Sequence, residues 1–195
     1  AGKLNSNDKL DIVAVGRAQS LGVKRGVVNN IMQTVESINH AVNIVNEKMN
    51  QDVDSVCTGI AGQHIRSMQH SDYIIREDPE KIIDMDDIIK LHDNVKNLIL
   101  FPGEEIIHVL PQEYKVDREP NILEPIGMYG NRLEANFHIV VGQVTSIKNI
   151  SRCVMTSGLQ INTLNLEPLA SSDAVLSYEE KEAGVALVDI GGGTT

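Results

Sequence analysis

The sequence predicts an α/β fold into which a smaller α+β unit has been inserted. Three observations carry that prediction. Residues 9–62 alternate β-rich apolar runs with one long amphipathic stretch, the pattern of a strand–helix–strand layer. Residues 143–195 return to the same alternation. Between them the texture changes to acidic segments, scattered prolines and one cleanly alternating strand. The expected division is 1–60 for the first part of the α/β domain, 61–142 for the insert and 143–195 for the return.

Taken in order, "KLDIVAVGRA" (9–18) reads as a strand, and "GVKRGVV" (22–28) as a second strand broken by Lys24, Arg25 and Gly26. Asn29 or Asn30 is placed to cap a helix. Its apolar stripe runs through Ile31, Val35, Ile38, Val42, Val45 and Met49, at alternating four- and three-residue steps. "DSVCTGIAG" (54–62) is a third strand. In the insert, Asp84 caps a helix over 85–99 whose core face is Met85, Ile88, Ile89, Val95 and Ile99, with His92 on the same side. "EIIHVLPQEYKVD" (105–117) is a strand with Pro111 inside it, and the missing donor assigns that position to an edge or a bulge. Residues 119–131 read as loop. "RLEANFHIVVGQ" (132–143) puts Leu133, Ala135, Phe137, Ile139 and Val141 on one face. On the return, Thr145 or Ser146 opens a helix ended by Gly158, 159–168 is a short strand, and Pro168 starts another helix. "VALVDI" (185–190) is the final strand.

Composition bounds the function. The chain has 195 residues, 42% of them hydrophobic, enough for a real core of Ile, Val, Leu and Met. Its net charge of −10 argues against nucleic acid as a partner, because a phosphate backbone calls for a basic footprint. Two distant cysteines, Cys57 and Cys153, have no Cys or His at metal spacing and read as buried reduced thiols. No apolar run approaches the ~20 residues of a membrane helix. "AGKLNSND" at the start lacks an initiator Met and reads as cut from something longer.

The most chemical-looking stretch is "VALVDIGGGTT" (185–195). Phosphate wants convergent backbone N–H groups and no side chain in the way. Gly191, Gly192 and Gly193 offer both, and glycine tolerates positive φ there. Thr194 and Thr195 add hydroxyl donors. Asp189 is placed to hold a magnesium ion through water, since direct contact with phosphate would repel. No Walker lysine follows, and the spacing is not that of a dinucleotide turn. The competing reading is a glycine-rich turn without a ligand. Elsewhere, Glu104, Glu105 and Glu113 read as a solvated face and Lys24–Arg25 as solubilising charge. His108 and His138 read as structural, and Ser171 and Ser172 sit on a helix without a base. No catalytic residue is assigned.

These motifs resemble a known family. "VALVDIGGGTT" is similar to the second phosphate loop of the actin, Hsp70 and sugar-kinase superfamily. "GRAQSLGVKRGVVNN", "GIAGQHIRS", "HVLPQEYKVD", "EPIGMYGNRLEANFHIV" and "LEPLASSDAVLSYEEKEAGVALVDIGGGTT" resemble, in order and spacing, the FtsA family of bacterial actin homologues. The likeness runs from about Lys9 onward. It implies part of an actin-like (RNase H-like) subdomain 1A, with an SHS2-like subdomain 1C inserted over roughly Ala61–Gly142. It also implies that Asp189 and Gly191–Thr195 serve as the phosphate-2 site for ATP with magnesium. The family's ATPase activity is weak at most, and this chain alone is expected to hold ATP too weakly to measure, because nucleotide sits between two halves of the fold.

The resemblance implies a division scaffold. Such a protein polymerises with itself through the insert, binds the tubulin-like FtsZ and recruits later division proteins. It sits on the cytoplasmic face of the inner membrane through an amphipathic helix; neither that helix nor the FtsZ-binding half is expected within this sequence. A pilus-assembly adaptor of the same superfamily and a sugar kinase are the alternatives. The Pro-Gln-Glu-Tyr strand disfavours the first, and the lack of a declared catalytic carboxylate disfavours the second.

Overall fold

The structure is a computed structural model that describes residues 1–7 and 9–194. Along the chain come β1 Gly2–Leu4, β2 Leu10–Ile12, β3 Val23–Lys24, β4 Val27–Val28, α1 Ile31–Met49, β5 Ser55–Ile60, β6 Ile65–Ile75 and α2 Met85–Lys96. These are followed by β7 Glu104–Val116, β8 Glu119–Ile122, β9 Arg132–Gln143, α3 Val144–Thr156, β10 Gln160–Leu166, α4 Glu167–Val175 and α5 Tyr178–Ala183. Two compact units result, Ala1–His64 with Thr145–Thr195, and Ile65–Val144.

In the first unit, α1 starts where Asn30 accepts from the Gln33 backbone N–H at 3.1 Å and stops at Asn50 in the left-handed conformation. β5 and β10 form a parallel pair running from Ser55↔Gln160 to Ile60↔Leu166. Val35, Ile60, Ile147, Cys153, Val154 and Leu159 are buried. Several expectations are corrected here. The strand expected over 9–18 is only β2, paired with β1 as an antiparallel hairpin. The run 22–28 is itself a hairpin, with Val23 opposite Val28 and a two-residue turn of Arg25 (φ 51°) and Gly26 (φ 74°). Positive φ at both turn residues matches the twist of paired strands, which turns the predicted strand break into a reversal. Val185–Ile190 forms no strand. It has the composition of one, but a ladder needs a neighbour, and among the described residues nothing pairs with it. Cys57 is exposed, because it lies with Ser55 and Gly59 on the open face of β5, opposite Val56, Thr58 and Ile60.

The second unit is an antiparallel sheet in the order β6-β9-β7-β8 with α2 across one face. The five predicted β9 positions, Leu133, Ala135, Phe137, Ile139 and Val141, are all buried in its core. α2 begins with a capping box of Asp84 and Asp87, and it contributes Leu91 and Val95, both fully buried. The predicted helix face is therefore rotated. Met85 and Ile89 are about half exposed and Ile99 lies beyond the helix end, while Leu91, three residues after Ile88, is the central contact. Burying a leucine of this kind contributes about 1.5–3 kcal/mol. Pro111 sits at a register shift against β9, at a point where β8 does not reach, so no ladder donor is missed. Two strands were not foreseen. β8 lies within the Pro-containing stretch read as loop. β6 runs unbroken for 11 residues from Ile65↔Gly142 to Ile75↔Arg132. Its alternation is hidden because the side facing α2 carries Arg66, His70 and Asp72 among Met68 and Ile74.

Candidate functional site

A cavity of about 820 Å³ opens in the first unit beside the glycine loop. Its lining is mixed. Ile38 and Val42 of α1, Val56 of β5, and Ile150 and Val154 of α3 are apolar. The rest includes the loop and polar groups. Gly192, Gly193 and Thr194 meet Lys24 and Arg25 of the β3–β4 turn, Thr58 of β5, and Glu167 at the first position of α4.

Local geometry explains how these groups come together. An added Cβ on Gly26 would stand 1.7 Å from the Ala61 carbonyl oxygen, so the β3–β4 turn packs directly on the end of β5 only because residue 26 is glycine. An added Cβ on Gly59 would fall 2.9 Å from Glu167 Cγ, so the bare backbone of β5 lets that side chain lie over it. The Arg25 backbone lies 3.5 Å from where a Gly193 Cβ would be. The loop itself is closed by the Gly191 N–H donating to the Thr194 carbonyl at 2.9 Å. None of Gly191, Gly192 and Gly193 has a positive φ. What glycine supplies here is room: nothing stands within 4 Å of a Cβ on Gly192.

Of the residues expected at the site, Gly192, Gly193 and Thr194 line the cavity and Gly191 closes the loop behind them. Thr195 lies outside the described residues. Asp189 does not line the cavity; its Oδ2 accepts from Ser171 Oγ at 2.7 Å, which gives that helix serine a partner the sequence did not suggest. Lys24 and Arg25, read as solubilising, are the cations on the cavity wall, and Glu167 is its carboxylate. None of the three was read as part of the site, because only tertiary packing brings residues 24–25, 167 and 192–194 together.

The donor set fits an anion. Lys24, Arg25 and Thr194 line the same cavity as Gly192 and Gly193, and Thr58 Oγ1 is buried there without a hydrogen-bond partner. Among the described residues no cluster of three or more acid, His or Cys side chains could ligate a metal directly. Magnesium held through water by one carboxylate and by phosphate oxygens requires no such cluster. Among the described residues no helix is long and apolar enough to cross a membrane.

Comparison with known proteins agrees with the motifs. The family model "SHS2 domain inserted in FTSA" matches residues 62–141. The cell division protein FtsA of Neisseria meningitidis serogroup B is 38% identical over 194 residues, and that of Pseudomonas aeruginosa 39%. Each match takes in 100% of this chain and 46% of the relative, so the chain spans about half the length of the curated relatives it matches. FtsA of Escherichia coli K12 is 31% identical over 99% of the chain. Among solved structures, a PilM–PilN type IV pilus biogenesis complex aligns with 78% of this chain and 39% of its own at a TM-score of 0.49 and 9% identity. The chain belongs to the FtsA family of cell-division proteins, and its α/β fold carries the SHS2 domain that this family inserts.

Proposed function

We propose that the chain is the part of an actin-like division scaffold that supplies one wall of an ATP site. The observation that supports this most is that Gly192, Gly193 and Thr194 line one cavity together with Lys24 and Arg25. Backbone amides and two cations receive the phosphates, and the open side of Gly192 allows close approach. Asp189, steadied by Ser171, holds magnesium through water. Glu167, the carboxylate across the cavity, orients a water near the terminal phosphate; hydrolysis there is slow. In the same reading the protein polymerises through its inserted unit and binds FtsZ through a half outside this sequence. It recruits later division proteins and reaches the cytoplasmic face of the inner membrane through an amphipathic helix, also outside it.

The test has two arms. In calorimetry this chain alone shows no measurable ATP affinity, because only one wall of the site is present; micromolar binding would overturn that. An FtsA of the relatives' full length carrying this segment binds ATP and forms filaments on lipid by electron microscopy. ATP binding that is indifferent to Lys24→Ala with Arg25→Ala in that protein would contradict the assignment of the wall.

A further inference from the structure

β6 is the outermost strand of its sheet, and among the described residues its outer edge has no partner over the 11 residues from Ile65 to Ile75. Edges of that length are usually blunted by proline, a bulge or charged side chains, inward-pointing ones included; the two charges of β6, Arg66 and Asp72, are of opposite sign. β6 has no proline or lysine, and its register against β9 contains no bulge. Its sequence is instead complementary to itself in the antiparallel sense. With a two-fold axis through Gln69, Met68 faces His70 of a second copy, Ser67 faces Ser71, Arg66 faces Asp72 and Ile65 faces Tyr73. Directly opposed residues of an antiparallel pair share a sheet face, so each match is between side chains that meet, and symmetry makes it twice. Moving the axis one residue, to His70, sets Arg66 against Ile74 and Asp72 against Met68 and leaves all four charges unmatched.

The side chains are prepared for that register. Arg66 donates through Nε and Nη2 to the two oxygens of Glu104 at 2.7 and 2.6 Å, which leaves Nη1 with only the Met68 sulfur at 3.8 Å. Asp72 accepts from the Tyr73 backbone N–H through Oδ1 at 2.7 Å, and its Oδ2 meets no donor among the described residues. This weakly held donor and the free acceptor belong to the two residues that the axis through Gln69 brings opposite each other. Tyr73, about half exposed and lying under the Arg132 guanidinium at 3.7 Å, is held in position to cover Ile65 of the second copy.

We propose that two copies of this chain join along β6 by antiparallel pairing about Gln69, making one sheet of double width with Arg66–Asp72 ion pairs on either side of the axis. This contact is two-fold and closes at two copies, so it is distinct from the polymerisation in the proposed function; it requires no nucleotide, so failure of the ATP site leaves it standing. The test uses the chain as it is, without ATP. Sedimentation shows a concentration-dependent dimer. In a Cys57→Ser background, Gln69→Cys forms an intermolecular disulfide on mild oxidation, because residue 69 faces itself, while Ser71→Cys does not, because it faces residue 67. Asp72→Lys and Arg66→Asp each weaken the dimer about tenfold. Mixing those two variants restores it, because every cation then faces an acid. A chain that stays monomeric at all concentrations, equal cross-linking by both cysteines, or a dimer indifferent to Asp72→Lys would each overturn the proposal.

Discussion

Replacing Arg76 by alanine is expected to unfold the inserted unit under conditions that leave the parent chain folded. The side chain is 5% exposed and its guanidinium makes four hydrogen bonds. It donates to Asp87 Oδ2 at 2.9 Å and to the carbonyls of Lys81 at 2.9 Å, Gly130 at 2.8 Å and Ile82 at 2.8 Å. One cation therefore ties the end of β6, the approach to α2 and the loop before β9 to the capping residue of α2. Truncation strands a carboxylate that is itself 13% exposed, together with three carbonyls. Removing one partner of a buried ion pair destabilises by about 3–5 kcal/mol, against a whole-domain stability of about 5–15 kcal/mol. With a urea dependence of about 1 kcal/mol per molar for a unit this small, the midpoint falls by about 3 M or more. Arg76→Lys keeps the charge but loses the planar fork, and falls between the two. The assay is urea titration followed by near-ultraviolet circular dichroism. The chain has no Trp and four Tyr, of which Tyr73, Tyr114 and Tyr129 all lie in this unit, so the signal reports it selectively. A midpoint shift under about 0.5 M for Arg76→Ala would refute the reasoning.

Three further outcomes are expected. Gly26→Ala drives a methyl into the Ala61 carbonyl at a residue with φ of 74°, so the β3–β4 turn lifts off β5 and thermal denaturation shows a loss of about 2 kcal/mol or more; an unchanged melting temperature would show that the turn is not seated there. Burial lowers the pKa of His64, His92 and His108 below the ordinary 6.5. The unfolded chain therefore takes up protons first as the pH drops, and stability present above pH 6.5 is lost as the pH falls from there through the lowered folded-state values. His64→Gln flattens that decline, because both His64 ring nitrogens are buried without a partner; a decline of equal slope would assign it elsewhere. A thiol reagent modifies exposed Cys57 quickly, while Cys153, fully buried with its thiol pKa raised by that burial, reacts only after unfolding. Equal rates at the two cysteines in the native chain would contradict the packing of α3.

Where a segment's own periodicity decided its structure, the sequence could be read directly. β9 and α1 each bury one face, and period two or period 3.6 shows in their residues. The Asn30 and Asp84 caps follow from side-chain chemistry within one turn. β6 could not be read that way, because Arg66 and Asp72 occupy positions on the covered side of the sheet and erase the alternation. Val185–Ile190 failed in the opposite sense: its composition is that of a strand, but pairing is a property of two segments, and among the described residues nothing pairs with it. The candidate site was half legible. Three successive glycines after an acid announce an anion loop by local chemistry alone. Lys24, Arg25 and Glu167 announce nothing, because their place on the cavity wall depends on the Gly26 contact with Ala61 and the Gly59 contact with Glu167. Arg76 was equally silent, as one more charge in an acidic stretch.

Gly192→Ala bears most directly on the phosphate role of the glycine loop. A Cβ there meets nothing within 4 Å and the residue's φ is not positive, so alanine leaves the fold and its melting temperature unchanged and alters only the path of an approaching ligand. In an FtsA of the relatives' full length carrying this segment, ATP affinity measured by calorimetry is expected to fall at least about tenfold, a loss of about 1.4 kcal/mol. Unaltered ATP affinity in a normally folded Gly192→Ala protein would contradict the account.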